Sequence, residues 1–216
     1  MTPAGTSTAE RSFAGDLAEL LGSDTQLAAV VAEHGTPAYW ARPAGFPSLV
    51  LFVLEQQVSL ASAAATYRTL LVRVGRMTPD AMLAHPDMRA DGMSRQKERY
   101  LRALAAAVDD GSLDLPALEQ MDDDQVRTRL TALPGIGRWT ADVYLLSCLG
   151  RPDLWPVGDR ALQVAAAETL GLPEVPDAAA LTSIGERWRP RRSTAARILW
   201  HGYLRRRGRT ETHLPT

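Results

Sequence analysis

The sequence has one cysteine in 216 residues, Cys148, so an intrachain disulfide, a four-cysteine zinc site and a four-cysteine iron–sulfur cluster are excluded. It has one lysine, Lys97, and arginine therefore carries almost all of its positive charge. No apolar run exceeds the six residues Leu49 to Leu54, far short of the ~20 that a membrane-spanning helix needs. No membrane partner is expected. The stretch from Met1 to Ala14 is small and polar, without the basic start and apolar centre of a secretory signal, which points to the cytoplasm. Strand-like alternation is also missing, because the run from Leu49 continues through Leu54 to Val58 without a turn. With 45% hydrophobic and 23% charged residues the chain is an ordinary globular one, and its class reads as all-α.

A net charge of −1 conceals an asymmetry. Residues 187–216 hold nine arginines, at 187, 189, 191, 192, 197, 205, 206, 207 and 209, against Glu211. That +8 segment leaves −9 for the rest, the pattern of a localised polyanion footprint or of a solvated tail. Helix signals are frequent. Ser23 with Gln26 fits a capping box, and Thr78-Pro79-Asp80 fits a cap followed by proline. Ser94 opens Arg95 to Val108, Asp122 to Asp124 precede a helix to Leu130, Asp159 opens Leu162 to Leu170, Asp177 opens Ala178 to Trp188, and Ser193 opens the last helix. About ten short helices are expected, with breaks at Ala44 to Pro47 and Gly150 to Gly158. These divide the chain into an N-terminal arm (1–45), a central helical lobe (46–151) and a C-terminal lobe (152–216). Arm and C-terminal lobe are expected to pack together, since neither alone has enough apolar surface for a core.

The segment richest in chemistry is Leu133-Pro134-Gly135-Ile136-Gly137-Arg138-Trp139-Thr140-Ala141, set between two amphipathic stretches across 126–149. A proline and two glycines allow a tight hairpin that opens the second helix with outward amides. A phosphate suits such a helix N-terminus, and Arg138 adds charge there. Twenty residues after Trp139 stands Asp159, within Val157-Gly158-Asp159. As the first residue of its helix Asp159 is a natural cap, and it is also a carboxylate at a marked spacing.

Together the string and the spaced aspartate resemble the helix-hairpin-helix DNA glycosylase superfamily. Glu55-Gln56-Gln57-Val58-Ser59, Ser94 to Leu101, and Arg187 to Ser193 are similar to its 3-methyladenine DNA glycosylase II branch. The resemblance implies a two-lobed all-α fold with the DNA and active-site cleft between lobes, and the chain is too short for the N-terminal β-domain of some members. It implies a monomeric, nucleoid-associated base-excision repair enzyme on damaged double-stranded DNA, which flips alkylated bases of the 3-methyladenine type and hydrolyses the N-glycosidic bond. Asp159 is then the catalytic carboxylate, facing the positive charge that builds on the sugar. Members that also nick the backbone carry a lysine where this chain has Trp139, so an abasic site is the expected product, without lyase activity.

The remaining roles follow from the same likeness. Trp139 matches a base-stacking position, and Tyr39, Trp40 and Trp155 are candidates for the pocket wall, while Trp188, Trp200 and Phe52 read as core. Val143, Arg160 and Arg191 stand where relatives place pocket aromatics, which suggests a wider pocket and a shift towards neutral lesions such as hypoxanthine or ethenoadenine. Gln57 falls at the DNA wedge. Gly135, Gly137, Arg138 and Thr140 are implied to bind phosphate. No cofactor is required, and the carbonyls of Thr131, Leu133 and Ile136 are implied to hold a structural Na+ or K+ at the hairpin. A zinc deaminase, the other base-flipping chemistry, needs a His/Cys ligand set that Cys148 and the scattered His34, His85, His201 and His213 do not form. The alternative of another class is a noncatalytic lesion-binding protein that keeps the hairpin.

Overall fold

A computed structural model describes residues 8–210, and among them every regular element is helical. The α-helices are α1 (Thr8–Ser23), α2 (Thr25–His34), α3 (Phe46–Glu55), α4 (Leu60–Val74), α5 (Pro79–Ala84), α6 (Arg95–Asp109), α7 (Asp123–Thr131), α8 (Arg138–Ser147), α9 (Arg160–Leu170), α10 (Ala178–Gly185) and α11 (Arg192–Arg205), with short 3-10 turns between some of them. No described helix is long and apolar enough to cross a membrane. The described residues form two units: one joins residues 8–41 to residues 150–210, the other is Arg42–Leu149. Those divisions fall a few residues before the sequence breaks near 45 and 151.

In the unit Arg42–Leu149, α3 is apolar all round because it is buried all round. Leu49 to Leu54 lie in the core, with α4, α6 and α8 packed about the helix. This accounts for the missing helical period in that run. Its C-terminal end is closed by side chains, since Lys97 Nζ donates to the Leu54 carbonyl at 2.6 Å. Burial pushes the Lys97 ammonium down from its ordinary range. Glu55 pairs with Arg42 through two bonds, 2.7 and 2.9 Å, in the fork geometry that suits guanidinium and carboxylate. The Arg42 guanidinium also lies 4.6 Å from the Phe52 ring centroid.

In the other unit, α1 and α2 pack with α11, and α9 lies against both α2 and α11. The expected cap of α2 is corrected. Asp24, not Ser23, accepts the amides of Gln26 and Leu27 at 3.0 and 3.1 Å, while the Ser23 hydroxyl turns back to the Glu19 carbonyl. Asp24 has a second task, because its other oxygen accepts the Trp188 indole at 2.9 Å and ties α2 to the turn before α11. The last helix begins at Arg192, and Ser193 bridges instead to the Leu154 amide and the Arg151 carbonyl.

Candidate functional site

The hairpin closes through short backbone bonds: Leu133 N donates to Leu130 O and Ile136 N to Leu133 O, at 3.1 and 3.2 Å. Gly135 takes φ 84°, a conformation costly for any side chain, and a Cβ there would meet the Tyr100 ring at 2.2 Å. Gly137 caps α8 in extended geometry, so the first turn of that helix opens outward with the positive end of its dipole. Arg138 stands beside it, 70% exposed and 3.6 Å from Asp142. Asp142 is buried and is already held by Arg127 Nε at 2.6 Å, a bond that clamps α7 to α8. Gln56 braces the turn from outside it, donating to Gly135 O at 2.8 Å and to Thr140 Oγ1 at 3.3 Å. The next residue, Gln57, is exposed and left-handed at φ 60°, with exposed Val58 and Leu60 after it. Strain of this kind is tolerated where a loop is over-determined by its neighbours, as Gln56 and the Arg42–Glu55 pair make this one.

Thr131 turns its hydroxyl back to Arg127 O at 2.7 Å, and Leu133 O is engaged in the turn. A set of neutral carbonyls at Thr131, Leu133 and Ile136, with no carboxylate among them, fits a monovalent rather than a divalent ion.

Asp159 caps α9 in the other unit. Its Oδ1 accepts the Leu162 amide at 2.7 Å and the indole N–H of Trp200 at 3.1 Å. The Trp200 ring lies 6.0 Å from that of Trp40, tilted by 47°. Beneath Trp40 is Arg197, 3% exposed, whose guanidinium donates to Trp40 O at 2.6 Å and sits 4.4 Å from the Trp40 ring and 5.0 Å from that of Tyr39. Burial pushes this guanidinium down to about 10, still charged at any working pH. Tyr39 completes the group against Phe13, with ring centroids 5.4 Å apart.

Several sequence expectations change here. Trp155 belongs to the core rather than to a pocket wall: it packs 5.2 Å from Trp188 and its indole donates to Leu181 O. Trp188 and Phe52 are core as expected, but Trp200 is half-buried and reaches Asp159. Arg191 is turned to Asp16, at 3.3 Å, and to Glu19, so it offers its charge neither to a pocket nor to phosphate. Arg160 is exposed and donates to Gln163 at 3.2 Å. Val143 is buried in α8, and Trp139 is half-buried in its first turn. The Thr140 hydroxyl is buried under Gln56, which leaves only its backbone for an anion. The arginine-rich segment is largely neutralised within its own unit. Arg187 pairs with Asp24, Arg189 and Arg192 with Asp153 and Glu186, and Arg206 and Arg207 with Glu168, while Arg205 and Arg209 are exposed. Sequence reasoning missed Trp200 and Arg197, whose spacing on α11 gave the one available signal, a shared helix face.

A helix-hairpin-helix with a capping aspartate downstream defines the class, and the family comparison agrees: residues 50–190 match the HhH-GPD superfamily of base excision DNA repair proteins. The chain belongs to that superfamily. It is 35% identical to a Mycobacterium tuberculosis protein named as a probable bifunctional transcriptional activator/DNA repair enzyme AlkA, over 85% of this chain and 38% of that one. A putative DNA-3-methyladenine glycosylase of Bacillus subtilis, YfjP, is 28% identical over 82% of this chain and 66% of its own length. The chain thus spans well under half of the first relative and about two thirds of the second. Among solved structures, the Schizosaccharomyces pombe 3-methyladenine DNA glycosylase Mag1 in complex with abasic DNA matches with TM-score 0.80 at 26% identity, covering 86% of this chain and 95% of that one. A Bacillus halodurans DNA-3-methyladenine glycosidase gives TM-score 0.75 at 31% identity over 87% and 88%.

Proposed function

We propose that this protein is a monofunctional DNA glycosylase that acts as a monomer on damaged duplex DNA and removes alkylated bases of the 3-methyladenine type. The observation that carries the reading is Asp159, a carboxylate held by two N–H donors at the head of α9, in a chain that also presents the family hairpin. Breaking the N-glycosidic bond builds positive charge on the deoxyribose, and a fixed carboxylate stabilises it and orients the attacking water. Gly135, Gly137, Arg138 and the Thr140 backbone grip a phosphate at the hairpin, and Gln57 enters the gap left by the extruded nucleotide. A Na+ or K+ held by the carbonyls of Thr131, Leu133 and Ile136 would add positive charge for that phosphate. Trp139 stacks on the base, and its place in the hairpin leaves no amine there for strand nicking.

Base release from alkylated genomic DNA, resolved by chromatography, tests this for wild type and Asp159→Asn. Loss of 3-methyladenine or 7-methylguanine release in the variant supports it, with a fall of at least ~100-fold. Good duplex binding without release of any base would establish the noncatalytic reading. A second substrate class is favoured by one observation, Arg197. A cation already lies against Trp40 and Tyr39, so these rings suit neutral bases such as hypoxanthine or ethenoadenine better than cationic ones. The same chromatography with neutral lesions separates the two.

A further inference from the structure

Gln57 is held in a conformation that its residue type disfavours. Gln56 at φ −61°, ψ 125° followed by Gln57 at φ 60° is the backbone of a type II turn across Glu55 to Val58, whose third place glycine normally fills. The turn's own bond, from Val58 N to Glu55 O, is long at 3.5 Å and does little to hold it. Side chains do the holding. Glu55, the first residue of the turn, is fixed by the two bonds from Arg42, in an ion pair whose side chains are only 11% (Arg42) and 8% (Glu55) exposed. Arg42 is anchored in turn, because its amide donates to Ser147 O at the end of α8 and its guanidinium lies over the Phe52 ring. Gln56 is tied to the hairpin, and the carbonyl of Leu54, just before the turn, takes the Lys97 ammonium. The residues leading into Gln57 are therefore restrained one after another, while Gln57 itself is exposed.

A buried ion pair is a weak source of stability, since desolvation consumes most of its attraction. Its two parallel bonds do fix a direction, which an apolar contact of the same size does not. We propose that Arg42 and Glu55 are positioning residues for base extrusion: the pair holds the turn so that Gln57 meets the duplex in the conformation in which it fills the gap. The inference rests on the glycosylase reading above, with Gln57 as its wedge, and adds two residues that touch no DNA atom. A wedge already in its final conformation loses little freedom on entering the base stack, whereas a loose loop has to be ordered at that moment. The effect belongs to duplex substrates, because a single strand has no paired stack to open.

The test replaces both partners, since removal of one leaves a buried charge unpaired and endangers the fold. Arg42→Met/Glu55→Leu keeps the volume and removes the fixed geometry. Its urea midpoint is expected to stay near that of wild type. The ratio of single-turnover excision from duplex to excision from single strand is expected to fall about tenfold. A 2-aminopurine beside the lesion reports extrusion directly, and its fluorescence rise on binding should shrink with that ratio. In a Gln57→Ala background the double replacement should cause no further fall, because the pair acts through that residue. Arg42→Lys keeps the charge and loses the fork, and covers the case in which the double variant does not fold; a fall of about threefold in the same ratio is expected. An unchanged ratio in a folded variant, or a loss that simply adds to that of Gln57→Ala, would overturn the proposal. Wild-type protein that releases no base from any lesion would overturn the glycosylase reading and this inference with it. An active wild type whose Gln57→Ala variant treats duplex and single strand alike would overturn this inference and leave the glycosylase reading standing.

Discussion

Gln56 donates its side-chain amide to the carbonyl of Gly135 at 2.8 Å, so the loop that follows α3 and the hairpin between α7 and α8 are hydrogen-bonded parts of one body. Under the proposed function the adjacent glutamines divide their work, Gln56 bracing the hairpin and Gln57 serving as the wedge. Gln56→Ala should lower stability by about 1 kcal/mol, the usual worth of such a bond, and weaken DNA binding through the hairpin. Gln57→Ala should leave the urea midpoint unchanged and reduce base excision from duplex more than from single-stranded substrate. Equal effects of the two substitutions on stability would refute this division.

Gly135→Ala combines two penalties, a positive φ and a collision with Tyr100. A loss of ~2 to 4 kcal/mol is expected in urea unfolding. Adding Tyr100→Ala should relieve the collision and leave the backbone cost, so the double variant should be the more stable of the two if the ring contact matters.

Arg138 is exposed and only loosely associated with Asp142, whose main partner is Arg127. Arg138→Ala should weaken binding to damaged and undamaged duplex alike and reduce the salt slope of log K by about 1. A change confined to lesion-bearing DNA would assign the residue to base recognition instead.

Burial pushes the Cys148 thiol up to about 11. At pH 8 the folded chain should react with a disulfide reagent about 100-fold more slowly than the chain in urea. The sign of the linkage follows: between the ordinary thiol range and about 11 the unfolded state has lost a proton that the folded state keeps, so this group's contribution to stability is full below that window and is lost as pH rises through it. Cys148→Ala should flatten the alkaline limb of a stability profile.

What could be read from the sequence was what is local. Gly135, Gly137 and Arg138 announce the hairpin because turn chemistry is set by neighbouring residues, and Asp159 announces a cap for the same reason. α3 was harder, since a helix buried on every side shows no period. The long-range pairings were not legible. Arg191 reads as a pocket or phosphate residue until α1 brings Asp16 and Glu19 against it, and Trp200 reads as core until α9 brings Asp159 within reach. Trp155 failed in the opposite direction, because an aromatic beside Gly and Pro looks like a cleft wall until Trp188 and the Leu181 carbonyl enclose it.

Lys97 supplies the whole chain's ε-amine complement, and that amine is bonded to the Leu54 carbonyl at the end of α3. Borohydride trapping on abasic DNA therefore has a single side-chain candidate to report, and a covalent adduct that survives Lys97→Arg has to come from the amino terminus. The presence or absence of a side-chain Schiff base on abasic DNA is thereby decided with one substitution.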